Sequence, residues 1–416
     1  MRYLIHKNDK SLTGEINLDG CTEITNRLLI IKALTSGFFD LKNYSCSEES
    51  QRLLNLINSN DKVLNANDSG SSLRYLLAFL AMHEGEIVLT ASDRLLDYPI
   101  EPLVSALHTL GADIRYIGKK HYPPVYIRGK MLKGKLIDLD TTLSSHFATA
   151  LILIAPLLRN GLIIRMKGNN LHRSEIELTL HILRHFGIRY EWSQNMISIA
   201  RQDYEPHPYT VEASWKCASF FYQLATLSDH VDIRLNGLHR ISLQSDAAIV
   251  KIMEQFGVAT TFTENGIRIT KKQAVRPRVF EYNFQQCPEL APMMLVTCAA
   301  LNLPARFSGV PYFKNYGFDS MSLVQNELSL LGAEVHRDDL RITLSSADGI
   351  RTSDIVLKTH NDYRVSLALL PLVMLQGELL LDDAEIIKSS FPLLWQQLPQ
   401  LGLKAEPLEE IAYHTL

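Results

Sequence analysis

A repeat of roughly 72 residues constrains this chain more than any other feature of its sequence. A helical pattern that ends in a bulky apolar residue and glycine, then turns into a short strand, recurs at Gly111, Gly187, Gly257, Gly332 and Gly402, spaced by 76, 70, 75 and 70 residues. Glycine directly after an apolar-periodic helix is what a left-handed C-terminal turn requires. Each such helix has one apolar stripe, as in Leu103, Leu107 and Leu110, and is predicted to cover a sheet with its other face in water. A second helix type alternates with it. It begins in small polar residues near Gly70, Ser144, Lys216, Pro288 and Asn361, 74, 72, 72 and 73 residues apart, and then becomes apolar on all sides. Such a helix must be buried. An earlier, shorter unit starts near Glu23. Six units follow, the first truncated, each with one core helix and one covering helix. Repeats of this length predict an α/β globule with internal pseudo-symmetry, and exclude a solenoid of short repeats.

The remaining composition excludes several classes of function. Lys and Arg number 42 against 45 Asp and Glu, so there is no basic excess for nucleic acid or an anionic membrane. The longest strongly apolar run, 147–158, holds 12 residues, against the ~20 that a membrane span needs. The opening residues 1–10 lack the apolar core of a secretory leader. Cys21, Cys46, Cys217, Cys287 and Cys298 form no CxxC pair and leave an odd number. A disulfide framework or thiolate metal site is therefore not expected, and a cytoplasmic protein is. Cys217 and Cys287 stand at helix starts, where a thiolate could be stabilised, but small buried residues are the better reading.

Buried helices that start in Ser, Thr, Asn, Asp and Gly present N–H groups and positive dipole ends, a means of holding anions. At any single start those residues can be simple N-caps. The arginines Arg27, Arg74 and Arg364 lie within the first turns of otherwise apolar helices, where an anion would offset their desolvation. His146 and His172 could pair as general acids or ligate a metal, but no close-spaced histidine pair supports a metal site. Glu175 and Glu177 fall on different helix faces, and the run 242–246 reads as a capping turn before a surface helix.

Across nearly the whole chain these motifs resemble the EPSP synthase (3-phosphoshikimate 1-carboxyvinyltransferase) family. Gly-Glu-Ile-Asn-Leu-Asp-Gly at 14–20 with Asn-Arg at 26–27 resembles its opening strand and first helix, and Asp-Ser-Gly-Ser-Ser-Leu-Arg at 68–74 its Asn-Ala-Gly-Thr-x-x-Arg signature. Tyr-Pro-Ile-Glu-Pro-Leu at 98–103 resembles its Arg-Pro-Ile stretch, Ser-Ser-His-Phe at 144–147 its Ser-Ser-Gln-Phe, Asn-Asp-Tyr-Arg at 361–364 its Asn-Asp-His-Arg, and Ser-Ser-Phe-Pro at 389–392 its Lys-Ser-Phe/Tyr-Pro. The resemblance implies a two-lobed fold of βαβαββ units, with one lobe of about 20–213 and a second made of 1–19 and 214–416. It implies transfer of the enolpyruvyl group of phosphoenolpyruvate to the 5-hydroxyl of shikimate 3-phosphate, with no metal or organic cofactor. A monomer that binds only these small anions is expected.

Carried over position by position, the resemblance implies Glu289 as the base; the family's late lysine falls on Ser389, and Lys388, one residue before it, is taken as the catalytic cation. Arg27, Ser144 and Ser145 would hold the acceptor acid, Arg74 and Arg364 phosphoenolpyruvate, with Gly70, His146, His172 and Asp362 completing the substrate-binding set. Other family positions are altered. Thr22 and Glu23 stand in the Ser-Lys-Ser segment, and Tyr98 replaces an arginine. Glu175 replaces a tyrosine, and Ser389 a lysine. Tyr316, Gly317 and Ser320 stand in the Lys-Glu-x-Asp-Arg segment. Two readings stay open from the residues: enolpyruvyl transfer, or a divergent paralogue that acts on, or only binds, a less anionic shikimate-like ligand. Cation count at the site separates them.

Overall fold

The computed structural model describes residues 1–142, 144–168, 173–273, 277–310, 319–338, 341–345, 349–353 and 355–408. The chain forms two compact units, one of residues 21–211 and one of 1–20 with 212–416. Among the described residues the second unit holds three four-stranded sheets and the first holds two, with a further two-stranded pair of Leu41–Lys42 and Tyr209–Thr210. That short pair belongs to the truncated first repeat.

All five four-stranded sheets share one order. Two parallel strands come first, then two antiparallel ones, as in Val63–Asn65, Gly85–Thr90, Val125–Gly129 and Asp113–Tyr116. A parallel pair needs a crossover, and the buried helix Gly70–Met82 supplies it here. The covering helix, Glu101–Thr109, then leads into the antiparallel strands. Strands such as Leu162–Lys167 alternate buried and exposed residues along their length, so each sheet has one wet face. The N-terminal segment serves two repeats of its unit. Ser11–Asn17 lies parallel to His230–Asn236, and Arg2–His6 inserts between Glu378–Asp382 and Lys404–Leu408.

The repeat glycines behave as their spacing predicts: Gly111, Gly187, Gly257, Gly332 and Gly402 all adopt left-handed backbone, φ 98°, 80°, 80°, 90° and 72°. Among the described residues the six buried helices are Thr22–Leu34, Gly70–Met82, His146–Ile154, Trp215–Leu227, Ala291–Ala300 and Tyr363–Leu369. Three begin two or three residues after their anchors. Ser144 precedes the cap residue Ser145, Asp362 is itself the cap, and 288–290 forms a 3-10 turn. Within the second unit the Ala291–Ala300 helix packs against both Trp215–Leu227 and Tyr363–Leu369. Three helix starts therefore lie near one another.

Candidate functional site

In the first unit, Arg27 projects from the buried Thr22–Leu34 helix and is fully enclosed, its side chain 0 % exposed. Every guanidinium nitrogen has a partner. Nε donates to Thr179 Oγ1 (2.9 Å), Nη1 to the Glu23 carbonyl (2.6 Å), and Nη2 to Glu175 Oε2 (2.7 Å). A buried cation needs such partners, and the carboxylate keeps the guanidinium charged despite its desolvation. Thr22 joins a hydroxyl cluster with Ser45 (2.9 Å) and Ser47 (3.2 Å), and Cys21 Sγ donates to Glu23 Oε2 (3.3 Å). Asn26 donates to Glu49 (2.8 Å), which also accepts from the Ser71 hydroxyl. The start of the His146–Ile154 helix has no side-chain cap. There Ser144 Oγ accepts the His146 N–H (3.2 Å), and His146 Nδ1 lies 3.3 Å from the Tyr75 hydroxyl.

Arg74 is held in another way. It leaves the first turns of Gly70–Met82 with its guanidinium carbon 4.7 Å from the Tyr98 ring centre and 5.2 Å from that of Phe147. Its Nε is buried and has no hydrogen-bond partner among the described residues. Burial pulls its pKa below the ordinary arginine value. Gly70 makes room for it, since a Cβ there would stand 2.6 Å from Arg74 Nη1. Tyr98 supplies a π face to Arg74 and no second positive charge.

In the second unit a chain of alternating charges runs across three helix starts. Lys216 Nζ lies 3.4 Å from Glu289 Oε2, and Glu289 Oε1 lies 3.8 Å from Arg364 Nη1. Arg364 forks onto Asp362, Nη2 to Oδ2 at 2.8 Å and Nε to Oδ1 at 3.0 Å, and Ser320 Oγ donates to the same Oδ2 (2.8 Å). Burial alone would raise the Asp362 carboxyl, but Arg364 and the Ser320 hydroxyl outweigh it and hold the pKa below the ordinary value. Asp362 also caps its helix by accepting the Arg364 N–H. Lys216 and Arg364 each occupy the second position of their helices.

The structure brings Glu289, Asp362, Arg364 and Ser320 together, along with Lys216, which the sequence reading used only as a repeat anchor. The rule that singled out the arginines, a cation in the first turn of an apolar helix, applies to it equally. Lys388 is placed with Glu385 (3.2 Å) and over the Trp395 ring (5.2 Å), whereas Lys216 and Arg364 are set against Glu289. Ser389 Oγ donates to the Ile386 carbonyl (2.7 Å). Glu175 faces Arg27, whereas Glu177 pairs with Arg173 at the surface (3.0 Å). Residues 242–246 do not cap as expected: Ser242 Oγ donates to the buried Glu212 (2.7 Å), and neither the 3-10 turn Ser245–Ala248 nor the helix Ile249–Glu254 after it has a side-chain cap. Cys217 and Cys287 are buried, and desolvation pushes both thiols up, Cys287 to about 11. His172, Tyr316 and Gly317 lie outside the described residues. Among the described residues no group of three His, Cys, Asp or Glu side chains could hold a metal ion, and no helix is long and apolar enough to cross a membrane. A cavity of 510 Å³ lined by Pro99, Glu101, Ser105, Asp138 and Asp140 contains none of the candidate residues.

Repeated βαβαββ units with cations at the starts of buried helices define a scaffold for handling small anions. The comparisons with known proteins agree. The family model for EPSP synthase (3-phosphoshikimate 1-carboxyvinyltransferase) matches residues 46–398. The 3-phosphoshikimate 1-carboxyvinyltransferase of Bacteroides fragilis strain YCH46 is 34% identical over 414 residues, 99% of this chain and 100% of the relative. That of Photobacterium damsela subsp. piscicida is 28% identical over 94% of this chain and 97% of the relative. A solved structure of EPSP synthase from Acinetobacter baumannii has the same fold at 17% identity, with a TM-score of 0.81 over 98% of this chain and 100% of that one. This chain belongs to the EPSP synthase family.

Proposed function

We propose that this protein transfers the enolpyruvyl group of phosphoenolpyruvate to the 5-hydroxyl of shikimate 3-phosphate or a related acid and releases phosphate, acting as a monomer in the cytoplasm and without a cofactor. Arg74 carries the reading: a buried guanidinium at a helix start, with one N–H lacking an acceptor among the described residues, is an anion site awaiting its anion. The reaction needs a base for the acceptor hydroxyl, a proton for the enol carbon and cations for the departing phosphate. Glu289, oriented between Lys216 and Arg364, is the base. Arg74 and Arg364 carry phosphoenolpyruvate. Arg27, Ser144 and Ser145 serve the acceptor, with His146 and Tyr75 beside them. The family match and the naming of the 34% relative weigh against a paralogue for a less anionic ligand.

The test is phosphate release on mixing the purified protein with phosphoenolpyruvate and shikimate 3-phosphate, with the product identified by mass spectrometry. Turnover to the enolpyruvyl ether is expected. No turnover, together with no heat of binding for either substrate, refutes the proposal.

A further inference from the structure

Arg27 is assigned above to the acceptor, yet the first unit already provides it with a carboxylate. Its guanidinium is fully buried, and among the described residues its ion-pair partner is Glu175, whose side chain is 25 % exposed. Of its other partners, Thr179 is buried, and Nη1 donates to the Glu23 carbonyl. An incoming carboxylate that takes Nη2 must compete with Glu175 Oε2, which already accepts from it at 2.7 Å. Two carboxylates cannot share that donor without repulsion, and Glu23 and Glu49 add negative charge to the same neighbourhood.

We propose that Glu175 is a specificity-determining residue, an internal carboxylate that competes with the carboxylate of the acceptor for Arg27. The inference rests on the acceptor assignment made under the proposed function. The acceptor must displace Glu175, so the wild-type protein binds the acid more weakly than its scaffold allows. Replacing Glu175 by glutamine keeps a hydrogen-bond acceptor of the same size but leaves the buried guanidinium without a counter-ion, a deficit that the acid then fills.

The experiment is titration calorimetry of the full chain and Glu175→Gln with shikimate 3-phosphate, and with its methyl ester as the control lacking the charge. Glu175→Gln is expected to bind the acid at least tenfold more tightly than wild type, with the ester changing less than twofold. Shikimate 3-phosphate is also expected to raise the melting temperature of Glu175→Gln more than that of the wild type. If the glutamine variant does not fold, Glu175→Asp, whose carboxylate is drawn back by one methylene, is expected to gain about threefold. Unchanged or weaker binding of the acid, or an equal gain for the ester, overturns the proposal. Wild-type turnover separates the two readings. With turnover and no gain in the variants only this inference fails. With no turnover and no binding in any variant, the function reading fails and takes this inference with it.

Discussion

Gly70→Ala separates the role of Arg74 in binding from any role in folding. Gly70 opens the Gly70–Met82 helix, and its φ lies outside the left-handed region, so alanine fits the backbone. The added methyl would lie 2.6 Å from Arg74 Nη1 and 3.6 Å from its guanidinium carbon. Ordinary contact begins near 3.4 Å, so the head group must move by about 1 Å, and the Tyr98 and Phe147 rings bound its path. The atom that moves is the end of a flexible side chain. Folding therefore loses little, and alanine returns ~0.4–1 kcal/mol through the unfolded chain. Binding loses more: one charge-assisted hydrogen bond to an anion is worth ~1.5–3 kcal/mol, or about 10- to 150-fold in affinity. Phosphate release measured against phosphoenolpyruvate at saturating acceptor is expected to show KM raised by that factor. The melting temperature is expected to stay within about 4 °C of wild type. A KM within twofold of wild type, with the variant folded, refutes the placement of phosphoenolpyruvate on Arg74.

Glu289→Gln, which keeps the shape of the side chain but removes the base, is expected to lower kcat by ~10²–10⁴ with little change in binding heat. Asp362→Ala leaves the Arg364 fork without its main counter-ion and is expected to cost ~3–5 kcal/mol in denaturant unfolding, with m unchanged. Asp19→Asn gives a pH test of stability. Burial raises this carboxyl to about 6, against a smaller opposing effect of the Leu393 N–H, and its Oδ1 is buried with no partner among the described residues. The folded protein thus keeps a proton that the unfolded chain gives up near pH 4, so stability falls as pH rises from about 4 to about 6. The asparagine variant is expected to melt higher than wild type at pH 7.5, the gain vanishing below about pH 4. Equal gains at both pH values contradict the burial of a charge there. Iodoacetamide at pH 7.5 is expected to modify the exposed Cys46 and spare the buried Cys217, Cys287 and Cys298, whose thiols are raised by desolvation.

The scaffold was legible because its signals are local. A glycine after an apolar helix, or a run apolar on every face, states its structure within four to fifteen residues, and Gly111 to Gly402 and the six buried helices follow those signals. Which charges meet was not legible in the same way. The Arg27 to Glu175 contact spans 148 residues and crosses two repeats, so no spacing announces it. Lys216 was visible by the rule that found Arg364, since both sit second in their helices. Lys388 was placed by its neighbour in sequence, and one residue on a helix turns a side chain by ~100°, enough to send it to Glu385 instead.

The three arginines differ in how much each would gain from a ligand anion. Each stands near a helix start, Arg27 and Arg74 buried and Arg364 half-buried, and the charge of each is offset by a different means. Arg27 has the Glu175 carboxylate, and Arg364 has the Asp362 fork with Glu289 beyond it. Arg74 has the faces of two aromatic rings. A carboxylate partner satisfies the donors as well as the charge, and an incoming anion must compete with it. A ring face offsets part of the charge and leaves the N–H groups in the guanidinium plane still seeking acceptors. Of the three, Arg74 is therefore the arginine that gains most from a ligand phosphate or carboxylate. The tyrosine at position 98 brings a ring face and no charge, and leaves the Arg74 donors poorly satisfied. Tyr98→Arg would add a cation but take away the ring that shields Arg74, placing two guanidinium groups at close range without an anion. Its expected signature is lower stability in the absence of ligand and a larger stabilisation by phosphoenolpyruvate than the wild type shows. If the ligand stabilises both proteins equally, the ring at Tyr98 is packing alone and has no part in tuning Arg74.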